Sequence, residues 1–277
     1  MKAIAAFCLV ILSLSAAATR AQVRLQLSQP RNLYLQYESI DLTVTLTNVT
    51  DASVNLGPDE NGKPWLSFLV FAQDGGAVSQ VKPVEVPPLT LAPDESKQVT
   101  VNILPCYGIR STGGYSTQAI VQIPGLKPIM TGKLFLTIGK GETMWTQSIF
   151  NTGIKRIYSL IRFLDVDDSN LYLRVEEPDQ NLLYTTIRLG RIVTFAEPVV
   201  QFDAHGHLHI VQVVGAKTYR YTEADASGVI LYQEDRAEVP RLPRPTLAKT
   251  TDGEVQFIGG LTRQALAERA KLSETQE

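Results

Sequence analysis

From Ile40 to Thr47 the chain alternates without a break. Ile40, Leu42, Val44 and Leu46 are apolar; Asp41, Thr43, Thr45 and Thr47 are polar. Successive side chains of a strand point to opposite faces, so this period of two specifies a strand with one buried and one wet face. The pattern recurs. Val23, Leu25 and Leu27 alternate with Arg24, Gln26 and Ser28, and Val99, Val101 and Ile103 alternate after the Leu91-Ala92-Pro93-Asp94-Glu95-Ser96 turn. Asn61-Gly62 and Asp74-Gly75 bracket Trp65 to Ala72 with hairpin-type turns. Tyr115 to Ile123 and Lys133 to Ile138 complete about seven strands, with no helix-period segment among them. An all-β fold is predicted, with residues 22–142 forming an antiparallel sandwich.

Part of this region also carries a family resemblance. Tyr37-Glu38-Ser39-Ile40-Asp41-Leu42-Thr43-Val44-Thr45-Leu46-Thr47-Asn48 resembles the opening of exported bacterial immunoglobulin-like domains, including macroglobulin-type and proteinase-inhibitor-like sandwiches. Leu91 to Ser96 is similar to their proline-then-acid turn, with Asp94 where glycine is more usual. Gly114-Tyr115 resembles the start of the late strand that carries a corner tyrosine. The likeness implies a fold and says little about function. The immunoglobulin cysteine pair is absent, so this is not an antibody-type domain.

The second half reads differently. Val199 to Phe202, Leu208 to Val214, Thr218 to Thr222 and Val229 to Tyr232 are four short strands, joined by Ala204-His205-Gly206, Gly215-Ala216-Lys217 and Asp225-Ala226-Ser227-Gly228. Loops this short join antiparallel neighbours. The pattern resembles one propeller blade. Similar turns recur at Asp167 to Asn170 and Thr251 to Gly253; Asn170 lies 36 residues before Gly206 and Gly253 lies 47 after it. Blades repeat at about 40–50 residues. Residues 161–260 supply about two and a half blades, and a closed propeller needs about four. An open meander is expected, with closure by several chains or a purely local likeness as alternatives. Residues 143–160 read as an interdomain junction, with Trp145, Ile149, Phe150, Ile154 and Ile157 packing there. Pro240, Pro243 and Pro245 mark an extended connector. Residues 261–277 read as a terminal helix and tail, with Thr262 as N-cap.

Met1-Lys2, the apolar stretch from Ala3 to Ser15 and the small residues before Gln22 read as a signal peptide over residues 1–21. Cleavage is expected after Ala21, with Ala18 as second choice. The apolar run falls short of the roughly 20 residues a span needs, and no later transmembrane segment is expected. Removing residues 1–21 lowers Lys plus Arg from 26 to 24 against 28 acids, so the net charge moves from −2 to −4. That mild acidity argues against a nucleic-acid partner. Cys106 then stands alone and no intramolecular disulfide is available; a small buried hydrophobe or a reactive thiol are its two readings.

Candidate chemistry is sparse. His205, His207 and His209 are the only histidines, at i, i+2 and i+4. With Asp203 they are the metal candidates, because that spacing on a straight strand puts imidazoles on one face. His205 falls in the turn, and polar packing at a blade hairpin is the favoured reading of the cluster. Any His-dependent triad must use this segment, and no Gly-x-Ser-x-Gly elbow accompanies it. Asp165, Asp167, Ser169 and Glu176 match a calcium loop at positions 1, 3, 5 and 12, but Asn170 replaces the loop glycine, so a hairpin turn is the expectation. Glu176 and Glu177 are adjacent and expected on opposite faces, unable to act as a glycosidase pair. Asn48-Val49-Thr50 fits a glycosylation sequon. Tyr219, Tyr221, Tyr232, Phe195 and Phe202 read as sheet packing, with a sugar-stacking surface as the alternative. No cofactor is called for.

These readings favour an exported, non-enzymatic binding or structural protein of the cell envelope, acting on a protein or glycan. The alternatives are a metal-binding protein or metal-dependent hydrolase using His207, His209 and Asp203, and a proteinase inhibitor presenting a loop near Cys106 to Gly114.

Overall fold

The computed structural model describes residues 23–151, 154–166 and 168–274, so the expected signal peptide, Asp167 and the last three residues lie outside it. The described chain is all-β with one short C-terminal helix.

Ten strands build the first half: β1 (Val23–Ser28), β2 (Leu33–Leu35), β3 (Asp41–Asn48), β4 (Val54–Leu56), β5 (Leu66–Ala72), β6 (Leu89–Leu91), β7 (Ser96–Asn102), β8 (Gly113–Val121), β9 (Ile129–Met130) and β10 (Leu134–Gly139). One sheet runs β1-β3-β7 and the other β2-β10-β8-β5, with β9 on β8 and β4 paired to β6. The pairings are antiparallel except β2 on β10, which is parallel. The alternation in β3 works as its sequence dictates. Leu42, Val44 and Leu46 are fully buried, as is Ile40 just before the strand, and all join the core of Trp65, Leu66, Phe68 and Val121. Each such side chain contributes about 1.5–3 kcal/mol by leaving water.

Two turns show local sequence at work. Asp94 occupies the left-handed region at φ 57°, the conformation glycine usually supplies there. Tyr115 donates its hydroxyl to the Ser111 carbonyl at 2.8 Å, the bond a corner tyrosine makes to the chain just upstream.

The second half begins with β11 (Glu142–Asn151), β12 (Ile154–Asp165), β13 (Asp168–Glu177) and β14 (Leu182–Arg191), a four-stranded antiparallel blade. Within residues 143–160, expected as a junction, the described residues 143–151 and 154–160 are strand, in β11 and the first half of β12. Trp145 and Ile149 pack on the blade core, while Phe150 is 72% exposed. Apolar residues four apart on one strand share a face, and this face covers the blade.

The next blade holds β15 (Val199–Phe202), β16 (Leu208–Gly215), β17 (Thr218–Ala224) and β18 (Ile230–Ala237) in simple order. After it, β19 (Thr246–Lys249) and β20 (Val255–Ile258) form a separate two-stranded hairpin, and β21 (Leu261–Thr262) pairs back onto β18. Helix α1 (Arg263–Glu274) follows, and Ala265 N–H donates to Thr262 Oγ1 at 3.2 Å, the expected cap.

These pieces stack as layers. Even-numbered residues of β12 and odd-numbered residues of β13 (Tyr158, Leu160, Leu171, Leu173, Val175) meet Leu208, Ile210 and Ala224 of the second blade. The opposite face of the first blade (Ile161, Phe163, Tyr172) meets Leu35 of the sandwich. The outer face of the second blade (Val211, Tyr219, Tyr221) meets Leu247 and Val255 of the last hairpin. The order is sandwich, blade, blade, half-blade.

Candidate functional site

Two polar constellations stand out: a carboxylate–imidazole cluster inside the second blade, and a groove where the first blade meets the sandwich.

The cluster starts from a turn. Asp203 Oδ1 accepts the backbone N–H of His205 (2.9 Å) and of His207 (2.8 Å), and Gly206 takes φ 84°. One carboxylate oxygen thus fixes the hairpin, as aspartate does in such turns. The other, Oδ2, lies 3.2 Å from His209 Nε2. His209 Nδ1 is 2.8 Å from the Tyr221 hydroxyl, and that hydroxyl is 3.4 Å from Glu223 Oε2. Glu223 Oε1 meets His207 Nδ1 at 3.0 Å, and His207 Nδ1 stands 3.8 Å from Asp203 Oδ2, closing a ring of five side chains.

Burial opposes ionisation of Asp203, yet the His207 N–H, the His209 imidazole and the His205 N–H together hold its carboxyl below the usual range. Burial first, then the Glu223 and Asp203 carboxylates, push the Tyr221 phenol far above its ordinary value. Tyr221 is therefore a donor at neutral pH. Since a carboxylate only accepts, the His209 Nε2 that faces Asp203 carries a proton.

His207 and His209 share Asp203, and the third imidazole does not join them. His205 points to Glu254 Oε1 at 3.1 Å, outside the ring. Among the described residues no three or more His, Cys, Asp or Glu side chains are arranged to hold a metal ion. His209 is 4% exposed and borders neither cavity described below.

The groove is larger, about 830 Å³. One wall is the sandwich: Tyr37, Ser39, Asn102 and the Leu104 to Arg110 connection. The other is the first blade: Arg174, Glu176, Glu177 and Leu182 to Thr186. Docking of the layers creates it. Gly139 and Gly141 let the sandwich approach closely; a Cβ at Gly141 would lie 2.3 Å from Ile161 Cγ2 and 2.8 Å from the Arg162 carbonyl. Arg31, itself paired with Glu38, donates to the Tyr172 hydroxyl at 2.9 Å across the interface. Arg174 donates to the Gln36 carbonyl (2.5 Å) and Thr186 Oγ1 (3.2 Å), and its guanidinium lies 5.1 Å from the Tyr37 ring centre. Tyr37 adopts φ 69°, a left-handed conformation that bulky residues rarely take. Burial pulls the Arg174 pKa below the ordinary arginine range, offset in part by Glu176 and Tyr37. A smaller cavity of about 340 Å³ lies beside Glu142, Arg162 and Phe163.

Several other expected positions resolve as structure. Ser169 is buried in β13, and Asp165 pairs with Asp168 across the β12–β13 hairpin. Glu176 and Glu177, expected on opposite faces, both line the groove, where the β13–β14 register slips between Val175 and Glu176. Glu177 accepts from the Tyr184 hydroxyl at 2.8 Å. Asn48 is fully buried, and its amide donates to the Ala52, Leu91 and Ala92 carbonyls. The Asn48-Val49-Thr50 sequon is a structural turn. Cys106 is buried, and burial pushes its thiol up. Tyr107 and Ile109 are buried beside it, leaving Gly108 and residues 110–113 as the exposed part of that loop.

Sequence reading singled out neither Arg174 nor Tyr184. The available signal was Arg174 and Glu176 at alternate places after the apolar Leu171-Tyr172-Leu173 run, in step with Tyr172, which packs against Leu35 of the sandwich.

Fold and site together define an all-β protein of a two-sheet sandwich followed by blade-like sheets. No protein-family model matches the chain, and no curated protein matches it. Solved structures similar to it include Spo0M, a sporulation control protein from Bacillus subtilis, at 10% identity over 61% of this chain and 90% of that one, with TM-score 0.29. The E. coli chaperone DraB is similar at 12% identity over 78% of this chain and 98% of that one, with TM-score 0.26. At these TM-scores neither likeness bears on function.

Proposed function

We propose that the chain is an exported, non-enzymatic binding protein of the cell envelope, holding a glycan or protein in the groove between its immunoglobulin-like sandwich and its first blade. The signal-peptide pattern of residues 1–21 supports the destination. The groove carries the reading: at about 830 Å³ it falls within the roughly 300–1,000 Å³ of ligand sites. Strands β13 and β14 carry one wall and the turns at Tyr37 and at Leu104 to Arg110 the other, with Arg174 stacked on Tyr37 and Arg156 on Tyr184 along it. The histidine cluster supports a structural role instead, since each ring nitrogen placed by geometry faces a fixed neighbour.

The test is titration of the full chain with defined envelope oligosaccharides and peptides, read by hydrogen exchange. Ligand-dependent protection is expected at 102–110 and 176–186. Protection confined to the second blade, or no binding across the panel, would contradict the reading.

A further inference from the structure

We propose that the groove takes an extended polypeptide segment, which adds as a further strand to the free edge of β14. This rests on the groove being the binding site and names what that site recognises.

β14 ends the sheet of the first blade, and an edge strand leaves every second N–H and C=O without a partner strand. The two halves of this edge differ. From Leu189 onward the second blade covers it. Gln233 Nε2 (3.3 Å) and Arg220 Nη1 (3.4 Å) donate to the Leu189 carbonyl, and Gln212 Nε2 donates to those of Gly190 (3.4 Å) and Arg191 (2.8 Å). From Leu182 to Thr186 the backbone makes no hydrogen bond among the described residues beyond its ladder with β13. That open half is the half that lines the groove.

Leu182 to Thr186 border one cavity in unbroken succession, although successive side chains leave a strand on opposite faces. What they share toward the groove is the backbone edge. The uncovered edges of β11 and β18 border no part of it. Outward N–H and C=O groups that recur at about 6.6–7 Å are matched by a second main chain with the same repeat. A sugar's hydroxyls have no such repeat. The facing wall selects the side chains. Val81, Leu104, Pro105, Tyr107 and Ile109 give it apolar surface, and Val81 is 66% exposed. A guest with apolar side chains at alternate positions buries them there and leaves the intervening ones outside.

Calorimetric titration of the full chain, followed by amide exchange, tests this. The probes are capped peptides that alternate serine with valine, leucine or phenylalanine, and a neutral oligosaccharide. At least one peptide should bind and slow exchange at 182–186. N-methylation of that peptide then reads its main chain, because the N–H groups of alternate residues point to opposite edges of a strand. Methylating one alternate set should weaken binding tenfold or more, and methylating the other should change it little. Equal effects of the two sets overturn this inference. Oligosaccharide binding with groove protection and no peptide binding also overturns it and leaves the binding reading standing. Peptide protection confined to β11 or β18, or no binding by any probe, overturns both.

Discussion

Asp203 shows how much one carboxylate can organise. Oδ1 holds a turn and Oδ2 faces a buried imidazole. Asp203→Asn keeps an oxygen for the turn and removes the charge toward His209, so it isolates the second role. A carboxyl with a depressed folded pKa stabilises the native state above its unfolded value of about 3.9, and that contribution is lost as pH falls through the folded value. The variant should therefore be less stable by about 1–2 kcal/mol at pH 7, the worth of a charge-assisted hydrogen bond. Chemical denaturation at pH 7 and pH 3 checks this: the gap to the native chain should be smaller at pH 3, and an equal gap at both would refute it. Asp203 and the histidines were legible in the sequence as a cluster. Their partners Tyr221 and Glu223 were not, because a hydrogen bond from one strand to the next depends on register, which a list of residues does not state.

One turn recurs, written Asp-x-x-Gly. Asp59 to Gly62, Asp203 to Gly206 and Asp225 to Gly228 make the same bonds. In each, the aspartate Oδ1 accepts the N–H groups two and four residues on, and the glycine N–H donates to the aspartate carbonyl. In each, the glycine has positive φ: 75°, 84° and 87°. The surroundings differ. A Cβ at Gly206 meets nothing within 4 Å, but at Gly228 it would lie 2.4 Å from Thr185 Cγ2 and 2.8 Å from Val175 Cγ2. Gly206→Ala should cost about 1 kcal/mol from backbone strain alone, and Gly228→Ala about 2–3 kcal/mol. Thermal unfolding of the two variants should rank them in that order; equal losses would mean the first-blade contact is not felt. Turns and strands were readable because they are written locally, in glycine, aspartate and alternation. The fate of 143–160 was not. Its apolar residues could cover either a junction or a blade face, and only the pairing of β11 with β12 and of β12 with β13 decides.

At the scale of the molecule, layers that dock leave a groove at their margin. Of Gly139 and Gly141, the two glycines at that docking, Gly141 leaves the less room for a Cβ. Gly141→Ala should destabilise the chain by about 1–3 kcal/mol through overpacking. Amide exchange should quicken at 33–35 and 161–163 and stay unchanged at 208–224. Uniform change across all three would argue against separate layers. The alternating patterns foretold the sandwich and about two and a half blades, and the chain supplies two blades and a hairpin. The groove itself was invisible, because its walls are residues 37–39, 102–110 and 174–186, brought together only by docking. The most direct test of the binding reading places a photo-crosslinking side chain at Tyr184, in the groove, and separately at Tyr232, exposed on the second blade. In the producing cell, adducts should form from position 184 and not from 232; adducts from 232 alone, or from neither, would contradict the account.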